Sequence, residues 1–320
     1  MSDLMFGTLV TGLPLVPAVL GIYLVFRLRA DFDLTIDVSF TIGATVLTGL
    51  VLRDLPAPAG LMVATMAAGC LGLITTALHL ALRIPVILAG LIMSIGFYSV
   101  ALRGLERPSV SLVGAPNILA ASDVADPVTS DLIKVAIFGS VVLFVLAAVG
   151  LLLRTRIGLA LRATGVNARM ARSCGVNDRA MLALSLFLAN ALAGLSGALV
   201  VQGQNFADVN MGAGTLIAGI GAVLLGDLIV RPAGSKVLRV VIAVLVGALA
   251  YRFILILALQ LGVPATDLKG VTAIILVAAL AAERGLRTVL RSPGSTSSFR
   301  RWSGSTRRGR TKETAGAGAH

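Results

Sequence analysis

RTRIGLALRATGVNARMARSCGVN, residues 154–177, is a basic, polar segment between two long apolar runs, 132–153 and 181–201. From position 154 to 179 it carries six arginines against one acid, Asp178, a net of five positive charges. Gly158, Gly165 and Gly175 punctuate it, so it reads as short helices broken at those glycines. A helix-forming polar loop of this size, joining two membrane-length runs, stands in water and is expected to hold a partner. Its two flanks set the fold class, an all-α bundle of membrane-crossing helices.

Composition outside the loop agrees. Mean hydropathy is +0.96, 57% of residues are hydrophobic and 13% are charged, against about 25% charged in soluble domains. A crossing needs about 20 apolar residues for a hydrocarbon layer of about 30 Å, and several runs reach that length. The chain divides into an apolar domain, 1–283, containing the basic loop 154–180, and a basic Ser/Gly/Arg-rich tail, 284–320. The net charge of +12 does not point to nucleic acid, because nine of the 27 basic residues lie in that tail and six in the loop. Such a tail is expected to be a disordered cytoplasmic end lying near anionic membrane lipid.

Two cysteines, Cys70 in an apolar run and Cys174 in the loop, make neither a disulfide framework nor a metal site. No Lys or Arg precedes Arg27, the wrong polarity for a cleaved signal peptide, so the first apolar run is expected to stay in the mature protein.

Nine spans are read, at 8–25, 34–52, 58–82, 84–102, 132–153, 181–201, 212–230, 237–261 and 266–282, with eight to ten as the range. Loops on the cytoplasmic side collect Lys and Arg. With the 154–180 loop inside, alternation also puts inside Arg27 and Arg29, Arg83, the group Arg231, Lys236 and Arg239, and the tail. The N-terminus with Asp3, the Arg53–Asp54 turn and the acidic loop of Glu106, Asp123, Asp126 and Asp131 fall outside. The second span opens on Asp33, Thr35, Asp37 and Ser39, so its start reads as a half-helix or re-entrant element, which needs cover from protein or a wet cavity. Glycines crowd the sixth and seventh spans, which are expected to pack at the centre of the protein or at a subunit interface.

Missing motifs narrow the chemistry. The chain has no GxxxxGK[ST] phosphate loop, no HExxH, no GxSxG and no His/Cys cluster, so no catalytic residue, metal ligand or cofactor is read. Ionisable groups inside the membrane are costly and mark pathways. Arg252 is the clearest, and its partner is either internal, an acid or a helix C-terminus, or an anionic group on a solute. Asp37 and Asp227 lie near span ends. Asn190 either joins helices or lines a path, and Asp37, Ser39, Asn190 and Arg252 are the translocation-path candidates. His79 reads as packed or water-facing rather than as a proton relay.

The run 154–177, continuing into SLFLANALAGLSGALVVQGQ at 185–204, resembles permease subunits of ATP-binding-cassette importers of the branched-chain amino acid/ribose type. In that family a segment LGxALRAxGxNxxxAxxxGI follows one span and precedes a Gly/Ala-rich one. Here Gly158, Leu161, Arg162, Ala163, Gly165, Asn167, Ala171, Gly175 and Val176 occupy the pattern. DLTIDVSFTIGA, 33–44, is similar to the early Asp-Leu-Ser/Thr-Val-Gly stretch of ribose-type permeases, with Asp37 where glycine is common. The run 251–280 is similar to the last spans of a subgroup with an LPxxDLKxxTA signature, some of whose members are linked to aromatic amino acids. The resemblance covers about residues 31–283 and excludes the tail.

The resemblance implies a permease that is not itself an enzyme. It implies a cytoplasmic ATPase subunit docked on the loop through Gly158, Arg162, Ala163, Gly165, Asn167, Ala171 and Gly175. It further implies a second permease copy as homodimer partner, an extracytoplasmic solute-binding protein, and an amino acid or amino-acid-like solute crossing a bacterial-type plasma membrane. The N-terminus would lie outside and the C-terminus in the cytoplasm. The alternative from the residues is a secondary transporter or exporter driven by an ion gradient, and the scarcity of deep acids and histidines counts against it.

Overall fold

In a computed structural model, residues 2–29, 31–115, 117–119, 126–230 and 237–290 are described. The helices are α1 (Ser2–Gly12), α2 (Val16–Phe26), α3 (Thr35–Val51), α4 (Ala57–Leu82), α5 (Val86–Leu105), α6 (Pro127–Arg154), α7 (Arg156–Val166), α8 (Ala168–Ser173), α9 (Asp178–Gln204), α10 (Thr215–Val230), α11 (Val237–Gln260) and α12 (Leu268–Leu290). Among the described residues six helices are long and apolar enough to cross a membrane, and three shorter ones, Thr35–Val51, Thr215–Val230 and Leu268–Ala282, are also apolar. They coincide with the nine segments read from the sequence. Helices satisfy their own backbone groups, the condition for crossing hydrocarbon.

The first span departs from a plain helix. It runs Leu4–Phe26 and is interrupted by a 3-10 turn at Leu13–Leu15, where Pro14 and Pro17 withdraw two backbone donors. The Ser196 hydroxyl of α9 donates to the Pro14 carbonyl at that kink, 2.6 Å. A two-stranded ribbon, absent from the sequence reading, pairs β1 (Ser109–Ser111) antiparallel with β2 (Phe206–Asp208) at the end of the bundle opposite α7 and α8. The tail read as beginning at 284 continues α12 as far as Leu290; residues 291–320, Asp123 and the pair Arg231 and Lys236 lie outside the described residues.

α9 is the centre of the molecule. In α9 and in the first span 72% of the crossing window is buried, against 28% in α5 and α6. Gly194 lets α9 meet α3 at Gly43 and α4 at Ala68 with almost no side chain between the backbones. Gly226 and Gly247 make the same close seam between α10 and α11. The outward faces of α4, α5 and α6 carry exposed Met62, Met66, Ile95, Phe144 and Leu151, the apolar surface expected of helices solvated by lipid.

The two short helices are tied to each other. α3 and α10 have 17 and 16 residues, or about 25 Å each at 1.5 Å per residue, less than a full crossing. The Asp37 carboxylate of α3 accepts hydrogen bonds from the backbone N–H groups of Gly214, 3.0 Å, and Leu216, 2.8 Å. It thereby caps the N-terminus of α10 from another helix. α3 is a regular helix from Thr35 onward, and residues 31–34 ahead of it are not helical. Its polar start is covered by a buried network of Asp33, Thr35, Ser39, Thr75 and Asn190, each 0% exposed.

Candidate functional site

The basic loop is an ordered pair of helices whose breaks fall at capping residues. Thr155 opens α7 and accepts from the Gly158 N–H, 3.4 Å; Asn167 opens α8 and accepts from Met170, 3.0 Å; Asn177 opens α9 and accepts from Ala180, 3.2 Å. Side-chain oxygens at these positions satisfy donors that a helix start leaves unpaired. Of the three glycines read as breaks, only Gly175 makes one, with φ of +82°. Gly158 and Gly165 lie inside α7, and their role is close approach. A Cβ at 158 would press on the backbone of Leu152 and Leu153, and one at 165 would overlap the Leu28 carbonyl.

These contacts fasten the loop to the bundle. Arg162 donates through Nη2 to the Leu153 carbonyl, 3.1 Å, and through Nε to Gly158, 3.3 Å, closing the α6–α7 corner. Arg29, just past α2, donates to Thr164 Oγ1 of α7, 3.3 Å, and reaches Asp178 of α9 at 3.5 Å. Arg27 bonds Asp227 at the end of α10 through Nε, 2.6 Å. The end of α2 therefore grips α7, α9 and α10 together. Ala171 is buried with Gly158, whereas Ala163, Asn167 and Gly175 are exposed. The outer face presents Val166, 88% exposed, and Met170, 65% exposed, among the exposed arginines 154, 156, 169 and 172.

A cavity of about 480 Å³ opens between α1, α2, α10, α11 and α12, with Phe40 of α3 and Val200, Gly203 and Gln204 of α9 also on its wall. That lies within the range of about 300–1,000 Å³ usual for small-molecule sites. Its walls are mostly apolar, with Val19, Ile22, Ile217, Ala218, Ala248 and Leu255 among them. Polar groups gather at one side. Arg252 donates through Nε to Thr11 Oγ1, 3.0 Å, and the Thr11 hydroxyl in turn donates to the Gly7 carbonyl, 2.6 Å. Thr272 donates to the Leu268 carbonyl, 2.9 Å, so its oxygen accepts from the Tyr251 hydroxyl, 2.9 Å. Lys269 also lines the space.

The four path candidates separate in space. Ser39 and Asn190 meet directly, the hydroxyl donating to Oδ1 at 2.7 Å, while Asn190 Nδ2 donates to Asp33 Oδ2, 2.7 Å, and to the Leu186 carbonyl, 2.8 Å. They join α3 to α9 and do not line the cavity. Asp37 is spent on the α10 cap. Arg252 alone of the four stands on the cavity wall. Among the described residues no carboxylate lies within 4.0 Å of its guanidinium, so the internal acid is not its partner. The sequence marks Asp33 in the polar start of the second span and Lys269 in the DLK signature, without assigning either to a site; Thr11, one threonine in an apolar run, carries no sequence signal.

Helices long and apolar enough to cross a membrane, an open cavity among them and a basic helical loop at one end are the features of a multi-pass membrane protein. Residues 4–280 match the family described as branched-chain amino acid transport system, permease component, and the chain belongs to that family. It is 28% identical over 262 residues to a tyrosine transport system permease protein of Clostridioides difficile (strain R20291), covering 82% of this chain and 85% of the relative. It is 30% identical over 282 residues to an uncharacterised protein of Rickettsia prowazekii (strain Madrid E), covering 87% and 97%. No solved structure matches.

Proposed function

We propose that the chain is the membrane-spanning subunit of an ATP-binding-cassette importer that moves an amino acid or amino-acid-like solute. A separate ATPase supplies the energy and an extracytoplasmic binding protein delivers the solute. The observation that carries this is the α7–α8 loop: its inner side is fastened to α2, while its outer side leaves Val166 and Met170 in water. Apolar side chains held out on a rigid, basic element are a docking face for another protein. The family match and the relative named for tyrosine transport support the solute class.

In the same proposal two copies pair in the membrane, the loop and residues 284–320 face the cytoplasm, and the N-terminus faces outward. The basic tail lies against anionic lipid. Residues 1–283 form the permease domain. Gly158, Arg162, Gly165 and Ala171 hold the loop's shape, and Ala163, Asn167 and Gly175 belong to its exposed side.

Co-purification tests the docking face. Val166→Asp together with Met170→Glu is expected to abolish retention of the ATPase subunit that co-purifies with the wild-type chain while leaving membrane insertion normal. Retention equal to wild type overturns the assignment, and uptake without any ATPase would favour a gradient-driven carrier. For orientation, Met170→Cys is expected to resist an impermeant thiol reagent in intact cells and Val113→Cys, 84% exposed, to react. The opposite pattern reverses the topology.

A further inference from the structure

Among the described residues, the cavity carries positive charge without a compensating acid. Arg252 and Lys269 both line it, and none of its lining residues is Asp or Glu. Arg252 is set into the bundle, eight residues before the end of α11, about 12 Å of helix. Its hydrogen bonding is one-sided. Thr11 takes the Nε edge, and the two terminal nitrogens have no protein acceptor among the described residues. A guanidinium offers two parallel N–H bonds along each edge, the geometry that matches a carboxylate. Thr11 therefore fixes the plane of the fork and leaves the far edge for a bidentate acceptor. The part of the lining that comes from α2 is apolar, Ala18, Val19 and Ile22.

We propose that Arg252, oriented by Thr11 and assisted by Lys269, forms an anion subsite in this cavity that takes the carboxylate of a small solute with an apolar body. The proposal rests on the transport function above and deepens it. The membrane subunit itself then selects for a carboxylate, in addition to any selection by the binding protein. The solute's apolar part lies against Val19, Ile22 and Ala218. An ammonium group on the solute meets hydroxyl and amide oxygens, Thr215 and Gln204, because none of the described lining residues is an acid.

The test has two arms. In a background lacking the exposed thiols (Cys70→Ser, Cys174→Ser), Ala218→Cys reports on the cavity through anionic methanethiosulfonate ethylsulfonate and its cationic trimethylammonium counterpart. Arg252→Gln is expected to lower the anionic-to-cationic rate ratio at least about tenfold, since one charge is lost in a site of reduced dielectric. Lys269→Gln should lower it less. In the second arm, permease, ATPase and binding protein are reconstituted in liposomes and ATP-driven uptake of L-tyrosine is followed. Arg252→Lys keeps the charge but loses the fork, so the labelling ratio should hold while uptake falls at least about fivefold.

A ratio unmoved by Arg252→Gln overturns the anion subsite. Unchanged uptake in Arg252→Lys overturns the bidentate contact, and decides the matter alone if Arg252→Gln does not fold. If wild type takes up neither L-tyrosine nor any of the other common L-amino acids under ATP while the ratio still falls as expected, the transport function is wrong and the anion subsite stands.

Discussion

Asp33 and Arg252 are both ionisable groups enclosed by apolar helices, and the structure treats them in opposite ways. Asp33 is fully buried, and both carboxyl oxygens are used: Oδ1 accepts from the Thr35 N–H, 2.9 Å, and Oδ2 from Asn190. Asn190 is in turn fixed by Ser39 and Leu186. Nothing is left over. Arg252 has one bond, to Thr11, and empty space in front of it. A saturated polar group holds helices together, whereas one with spare donors facing a cavity is available to something that comes and goes. Depth in the membrane alone does not separate the two cases, and counting partners does.

The sharpest way to break this contrast is Asn190→Leu, which keeps the volume and deletes the donor to Asp33. Purified protein in nanodiscs should lose about 3 kcal/mol, the cost of leaving a buried carboxyl without its partner. A melting temperature equal to wild type would show that the network is not structural. Ser39→Ala removes one interhelical bond and should cost about 1 kcal/mol in the same assay; a loss as large as that of Asn190→Leu would mean the network fails as a unit.

Arg252→Leu should behave in the opposite way, with stability within about 1 kcal/mol of wild type, since one neutral acceptor is lost. Uptake should nevertheless be lost by tenfold or more. A strongly destabilised protein would place Arg252 in the same class as Asp33. Lys269→Gln should have the smallest effect, because an exposed charge is screened by salt. Its uptake should change about twofold in low salt and less at 0.15 M, and a salt-independent loss would place the ammonium deeper than its exposure indicates.

Much of this was legible in the chain. Each of the nine helical segments is an apolar run bounded by turn residues, and composition alone reads such runs. The loop was legible because six arginines cannot stay in hydrocarbon. Its internal breaks were misassigned because glycine marks both turns and close contacts, and only the fold shows that Gly165 seats on Leu28. Arg252 was found by its charge in an apolar helix. Its partner was not, because Thr11 lies 241 positions away and threonines are common in apolar spans. Arg27 with Asp227 is similar: two span-end charges carry no mark that they belong together. The ribbon of three-residue strands is too short for any alternation to show.

Gly165 gives the molecule a mechanical property. The contact between α7 and the end of α2 is backbone on backbone, with no side chain to change rotamer and absorb a displacement. A helix is stiff along its axis; α2 ends at Phe26, two residues before Leu28, and Ile22 on the cavity wall lies four residues inside that end, about 6 Å of helix. A thrust delivered to α7 at Gly165 therefore reaches the cavity through one short turn and then the rigid length of α2. The slack in the system lies beyond α2, where the cavity is.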